Sequence, residues 1–427
     1  MTPFSTSREI EEKLDILSQY LSPERPIRSF EFLRGRGEEL ERLRQELSFY
    51  KSIPFIFGNR GVGKTSLART VAQIVTKSDR EHVYEACGPN ISMLSIFRDI
   101  AQDLVELRFQ LNGASCQKKR EVEISFRPSV KLEYVNDMPE VKKFRDINEA
   151  VRALRELDRI IPDANKTVVI IDELEEVCDR DKQHLAYLVK QIGDQEFNLR
   201  FVLVGIAENV HDLIGTHASV PRYIHEVSLS PLIAQDLMDI VKDAADAVDI
   251  HVPKDVLYRT AIIGNGYPHF AHLIGKSLLH EAVVHEAKDV NAKIYGRAIK
   301  RAVDGSIEAL SSSYNTATQR KDDVYKYLIW TLADSDVVDM RSDDMFERCK
   351  QLASMYDWEL PEDKVLSTRL QRLSHKDYGK IIINTPKQGG SDAIRYRYKR
   401  FANNLMRGHV RLIAEAEGVQ LGEKITL

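Results

Sequence analysis

Residues Gly58 to Thr65 read Gly-Asn-Arg-Gly-Val-Gly-Lys-Thr, and the run Ile53-Pro54-Phe55-Ile56-Phe57 before them has the pattern of a buried strand. Glycines at 58, 61 and 63 let the backbone curl so that its N–H groups converge on phosphate, aided by the positive end of the helix that follows. Lys64 is placed to reach the β- and γ-phosphates and Thr65 to ligate Mg²⁺. Gly58, Asn59, Arg60, Gly61, Val62, Gly63, Lys64, Thr65 and Ser66 are the candidate nucleotide-binding residues. The helix expected from Ser66 to Val75 carries Leu67, Val71 and Ile74 on one face.

A second chemical signal is Thr167-Val168-Val169-Ile170-Ile171-Asp172-Glu173, a β-branched run that ends in two carboxylates. This is the form of a buried parallel strand that delivers acids to its C-terminal edge. Asp172 would hold Mg²⁺ through water, and Glu173 would polarise an attacking water. Glu175, Glu176 and Asp179 follow, so a solvated acidic patch is the alternative.

The elements that must position these residues alternate β and α, which predicts a parallel sheet. A helix from about Ser7 to Leu21 reads as a packing arm, and Phe32 to Leu40 leads into a charged helix whose Leu40, Leu43 and Leu47 face inward. Strands are expected at His82–Ala86, Arg200–Val204 and about His225–Leu229, with a helix from about Ser92 to Leu111. Val122, Ile124 and Phe126, then Val130, Leu132 and Tyr134, alternate about Arg127-Pro128-Ser129 and read as a hairpin. Lys118-Lys119-Arg120 and Lys142-Lys143 lie near it. From Pro231 to about Leu310 the pattern is helical, broken at Gly264–His269, and Ser311 to Gln319 reads as a linker.

The chain has 427 residues, 43% hydrophobic and 30% charged, with a formal net charge of -4. That balance excludes a generally basic nucleic-acid coat, so contact with DNA must come from a local patch. No apolar run approaches the roughly 18 residues needed to span a bilayer. Cys87, Cys116, Cys178 and Cys349 show no metal-ligand spacing, which argues for a reducing compartment; the expectation is a cytoplasmic protein without membrane contact.

Taken together these motifs resemble the AAA+ ATPases, and within them the initiator-like group that includes origin-recognition ATPases and TniB-type transposition ATPases. The resemblance covers about residues 30 to 310 and implies an α/β phosphate-loop NTPase fold, a parallel sheet with helices on both faces, followed by a helical lid. It implies ATP and Mg²⁺ as cofactors, ATP hydrolysis, and a homo-oligomer in which each nucleotide lies between subunits. By the same resemblance Asn209, with Glu208 competing for its register, senses the γ-phosphate, and Arg222 reaches a neighbour's nucleotide. A surface ion pair is the other reading of Arg222. The lid arginine of such proteins has no counterpart, because Pro268 and His269 stand in its place, and the interval from Lys64 to Asp172 leaves room for an insertion.

The domain plan expected is an N-terminal arm (1–29), a nucleotide-binding domain (30–230, hairpin insertion about 118–140), a lid (231–310), a linker (311–320) and a C-terminal module (321–427). In that module helices marked by Val324, Tyr327, Leu328 and Leu332, by Met345, Cys349 and Leu352, and by Val365, Leu366, Leu370 and Leu373 precede strands at Lys380–Ile383 and Ala393–Tyr398. A closing helix runs from Phe401 to about Ala416. This order resembles a winged helix, which would place Lys364, Ser367, Thr368, Arg369 and Arg372 against DNA. Lys387 and Gln388 would lie at the wing, with Arg395, Arg397, Lys399 and Arg400 on phosphates. A module that contacts a partner protein is the competing reading. The function expected is thus an ATP-driven oligomeric switch acting on DNA; alternatives are a signalling NTPase of antiviral defence with a partner effector, and a nucleotide-dependent scaffold with little turnover.

Overall fold

The computed structural model describes residues 8–27, 29–50, 52–76, 82–111, 132–135, 138–161, 167–195, 197–206, 220–319, 322–386 and 394–422. The chain forms two compact units, one of Pro26–Ser230 and one of Met1–Arg25 with Pro231–Leu427. Helix α1 (Arg8–Tyr20) therefore belongs with the C-terminal half.

In the unit Pro26–Ser230 the helices are α2 (Gly37–Gln45), α3 (Lys64–Thr76), α4 (Met93–Leu111), α5 (Ile147–Ile160) and α6 (Asp179–Asp194). The strands are β1 (Ile53–Gly58), β2 (His82–Ala86), β3 (Leu132–Val135), β4 (Met138–Val141), β5 (Val168–Asp172), β6 (Arg200–Gly205) and β7 (Ile224–Leu229). Five of them form one parallel sheet in the order β2-β5-β6-β1-β7, the α/β architecture expected from the sequence. Every residue of β5 and β6 is buried, as a strand covered on both faces requires. Phe55, Phe57, Val169, Ile171, Phe201 and Leu203 share a core with α4, α5 and α6. Helix α3 packs against β1, β2, β5 and β6, and α2 packs on α3.

The hairpin observed before α5 joins β3 to β4, Leu132 opposite Val141, so Leu132 and Tyr134 pair with a strand the sequence pattern did not mark. The other expected arm, Val122 to Phe126, lies outside the described residues, as do Val130, Lys118, Lys119 and Arg120. Helices α5 and α6 were not expected either. Helix α5 carries its own signal, for the Asp146 side chain accepts from Glu149 N at 2.9 Å and the Glu149 carboxylate accepts from Arg145 N at 2.8 Å.

The second unit continues with α7 (Ala234–Asp246), α8 (Lys254–Gly264), α9 (Pro268–Val284), α10 (Ala292–Asp304) and α11 (Glu308–Thr318). Next come α12 (Val324–Asp334), β8 (Met340–Arg341), α13 (Ser342–Tyr356), α14 (Asp363–Arg372), β9 (Ile382–Pro386), β10 (Ile394–Phe401) and α15 (Met406–Ala416). Strands β8, β10 and β9 form an antiparallel sheet in that order. The stretch expected as a linker, 311–319, is corrected to helix α11. Ser312 is exposed and Thr316 and Thr318 bond back to carbonyls one turn earlier, while Leu310, Tyr314 and Ala317 bury at helical spacing. Val365, expected inside, is 37% exposed, whereas Leu366, Leu370 and Leu373 are buried.

A buried ionic group ties helices of this unit together. Arg259 Nε of α8 donates to Glu415 Oε2 of α15 at 2.7 Å, and Tyr295 of α10 donates to Glu415 Oε1 at 2.8 Å. Arg411, 1% exposed, donates to the carbonyls of Ala333 at 2.8 Å and Ile262 at 2.7 Å and pairs with Asp336 at 2.9 Å.

Candidate nucleotide site

The phosphate loop leaves β1 at Gly58, whose φ of +143° belongs to glycine, and a Cβ there would lie 2.4 Å from the Leu229 carbonyl oxygen. Gly61 and Gly63 also take positive φ, at 85° and 97°, which turns the chain into α3. Val62 is fully buried and anchors the curl, while Asn59 and Arg60 are exposed. Lys64 opens α3, and its Nζ donates to the carbonyls of Gly58 at 3.1 Å and Asn59 at 3.0 Å. Burial holds its pKa below the usual lysine value, opposed by Glu175 and Asp172. Ser66 faces elsewhere, since its hydroxyl accepts from Ile27 N at 3.1 Å.

Strand β5 delivers Asp172, 2% exposed, beside the loop. Thr65 Oγ1 donates to Asp172 Oδ2 at 2.6 Å, so a hydroxyl and a carboxylate from distant segments meet. Glu173 follows with φ 56° and ψ 40°, a left-handed conformation rare for a residue with a Cβ. Its backbone N–H donates to Asp172 Oδ1 at 2.7 Å, and its side chain is exposed. Burial, then Asp172 and Glu175, raise its carboxyl above the usual glutamate range. Glu175 in turn accepts from Ile206 N at 2.9 Å, which joins the end of β6 to that of β5. Asn209 and Glu208 lie outside the described residues.

Three residues the sequence reading passed over shape this site. Tyr84 of β2 donates its hydroxyl to Asp172 Oδ2 at 3.0 Å, and the Arg69 guanidinium lies 3.7 Å from the centre of the Tyr84 ring. Burial and Asp172 push the Tyr84 phenol up to about 12, so it remains a donor at neutral pH. Arg36, 6% exposed, donates to the Val62 carbonyl at 3.1 Å and to that of Ser230 at 2.5 Å, which clamps the loop to the end of β7. Neither Tyr84 nor Arg69 stands in a motif; only the register of β2 beside β5 brings Tyr84 opposite Ile170.

The donor set suits a magnesium–triphosphate pair. Thr65 and Asp172 offer two hard oxygens, and Lys64 with the loop N–H groups offers positive charge to phosphate. Among the described residues no three His, Cys, Asp or Glu side chains gather at a metal-binding spacing, so a cation here would take its remaining ligands from phosphate and water.

Arg222 sits far from this edge. It lies in the turn Pro221–Tyr223 before β7, with 62% of its side chain exposed, and pairs with Asp194 at 3.2 Å. Its guanidinium lies 4.5 Å from the centre of the Tyr223 ring. Ile53 pairs with Ile224 and Gly58 with Leu229, so Arg222 and the phosphate loop occupy opposite edges of the sheet. Those strands put about 17 Å between the two ends, and Arg222 cannot serve the loop of its own chain.

The residues expected on DNA divide. Lys364, Thr368, Arg372 and Arg397 are exposed, Ser367 is half-buried, and half-buried Arg369 pairs with Asp322 at 2.6 Å. Lys399 is buried, 6% exposed, with its ammonium on Asn384, which corrects its expected place on phosphate. Lys387, Gln388 and the Arg395 side chain lie outside what is described.

Residues 33–203 match the family model described as AAA ATPase domain, so the chain carries such a domain over that stretch. No curated protein sequence matches the chain. Among solved structures, the Walker-type ATPase Paby2304 of Pyrococcus abyssi is similar, with a TM-score of 0.51 and 19% identity over 91% of this chain and 99% of that one. The ORC1 protein of Aeropyrum pernix in complex with DNA follows at a TM-score of 0.44 and 16% identity, over 90% and 93% of the two chains. Cdc6p of Pyrobaculum aerophilum also gives 0.44 and 16%, over 93% and 98%. The likeness of fold rests on the first of these, and the phosphate-loop NTPase fold is the one observed.

Proposed function

We propose that the protein is an AAA+ ATPase that binds ATP with Mg²⁺ at Gly58–Thr65 and hydrolyses it. The observation that carries this reading is the Thr65–Asp172 hydrogen bond, with Glu173 next in sequence and Lys64 beside it. When bound, Mg²⁺ would offset the charge that develops on the transferred phosphoryl group. Thr65 and Asp172 would hold the cation, and Lys64 would turn from the loop carbonyls to the phosphates. Glu173 would accept the proton of the attacking water, a role favoured by a carboxyl whose pKa is raised.

The reading extends to assembly and to DNA. Arg222 is exposed at the sheet edge opposite the phosphate loop, which suits a group given to a neighbouring subunit in a homo-oligomer. Asn209 remains the proposed γ-phosphate sensor. Helices α7–α10 are the proposed lid, and α12 to β10, three helices with a small antiparallel sheet, the proposed winged helix. There Lys364, Arg372 and Arg397 are the exposed cations proposed to meet DNA, joined by Arg369, Lys387 and Arg395; a protein partner is the other occupant. Among the described residues no helix is long and apolar enough to cross a membrane, and a cytoplasmic location is proposed with this role.

The test is ATP binding and phosphate release, with and without duplex DNA across a salt series. Lys64→Ala should abolish binding, and Glu173→Gln should retain ATP while turnover drops by about a hundredfold or more. Wild-type turnover in Glu173→Gln would overturn the assignment of the base. A stimulation by DNA that fades steeply with salt supports the DNA reading, and its absence moves the C-terminal module to protein contact.

A further inference from the structure

At the edge of the sheet opposite the phosphate loop a cleft of about 330 Å³ opens between the start of β1, the end of α6 and the start of β6. Ile53, Ile192, Phe197, Leu199 and Phe201 supply an apolar lining. Arg200, Arg222 and Tyr223 supply polar groups. The volume is at the lower end of small-molecule sites, roughly 300–1,000 Å³. Gly193 keeps the wall thin, for a Cβ there would fall 2.3 Å from the Tyr223 ring.

Arg200 is the anomaly. It is 7% exposed, and its buried Nε–H has no hydrogen-bond partner among the described residues. No ion pair joins it to any described residue; Asp158 is the carboxylate whose field it feels, and that carboxylate already accepts from Asn198 N at 2.7 Å, Leu199 N at 2.6 Å and Asn198 Nδ2 at 3.3 Å. A buried guanidinium ordinarily has its donors met. Here a guanidinium that forms no ion pair among the described residues lines a cavity with a second arginine, whose Asp194 partner lies outside the cleft lining.

We propose that this cleft binds a small organic anion, a carboxylate or phosphate carried on a flat apolar body, with Arg200 as the principal recognition residue. The apolar body lies on Phe197, Phe201 and Ile53, and the acidic group accepts from Arg200. This site is separate from the phosphate loop of its own chain and stands whether or not ATP is hydrolysed.

Phenyl phosphate and benzoate are the probes, with benzyl alcohol as the neutral body, titrated calorimetrically into full-length Lys64→Ala protein so that the phosphate loop does not compete. Saturable binding of either anion is expected, absent for benzyl alcohol. Adding Arg200→Met should weaken it by about tenfold or more, as loss of a charge-assisted contact does. The Met variant removes a buried charge and keeps the stem, so its urea midpoint should equal or exceed that of its parent. Arg200→Lys, which keeps the charge but lacks the planar guanidinium, should bind at an intermediate level. Equal binding with and without Arg200→Met overturns the proposal. So does the absence of saturable binding by both anions, including the case in which Arg200→Met lowers self-association, which would assign Arg200 to a contact between copies.

Discussion

Asp172 receives hydrogen bonds from three directions, Thr65, Tyr84 and its own neighbour's N–H, and this fixes both carboxylate oxygens before any cation arrives. Tyr84 is thereby a positioning residue. Tyr84→Phe should leave the fold intact and raise the Mg²⁺ concentration for half-maximal binding of a fluorescent ATP analogue by about tenfold or more, the worth of one hydrogen bond to a charged group. Metal-independent binding should stay unchanged; an equal loss in both would make the hydroxyl merely structural. Gly58 to Thr65 and Asp172-Glu173 were legible because their chemistry demands fixed types at fixed spacing. Tyr84, Arg69 and Arg36 were not, since each acts across the sheet or down a loop, and one tyrosine in a strand reads as packing.

At the scale of elements, strands ending at functional residues were found nearly to the residue, because β-branched runs buried on both faces leave little ambiguity. Helix α11 was misread for a physical reason. Serine and threonine are weak helix formers, and only the spacing of Leu310, Tyr314 and Ala317 shows what burial imposes. Pairing between helices was invisible for another reason. Glu415 lies far in sequence from Arg259 and Tyr295, yet Glu415 is 4% exposed at its side chain and Arg259 9%. Glu415→Ala would leave Arg259 buried without its carboxylate, and the predicted loss is about 3–5 kcal/mol in urea-induced unfolding. Trp330 and Trp358, the chain's two tryptophans, lie in the same unit and report its unfolding by fluorescence. A midpoint unchanged by the substitution would show the ion pair to be dispensable.

At the scale of the molecule, composition limited the class and the motif order gave the α/β fold, whereas the grouping of α1 with the C-terminal half came only from packing on α7 and α9. The parallel sheet has the wider consequence. Its polarity sends Lys64 to one rim and Arg222 to the other, so no chain brings its own arginine to its own loop, and the missing half comes from a neighbour, in a head-to-tail row or across a two-fold. Complementation between crippled chains measures this. An equal mixture of Lys64→Ala and Arg222→Ala proteins, each inactive alone, should regain about a quarter of wild-type turnover, because one junction in four joins an intact loop to an intact arginine. Wild-type turnover in Arg222→Ala alone, or no recovery on mixing, would mean that Arg222 does not complete a neighbour's site. Where the subunits run head to tail, such an assembly is an arrow, with a waiting nucleotide at one tip and a spare arginine at the other, unless the row closes upon itself.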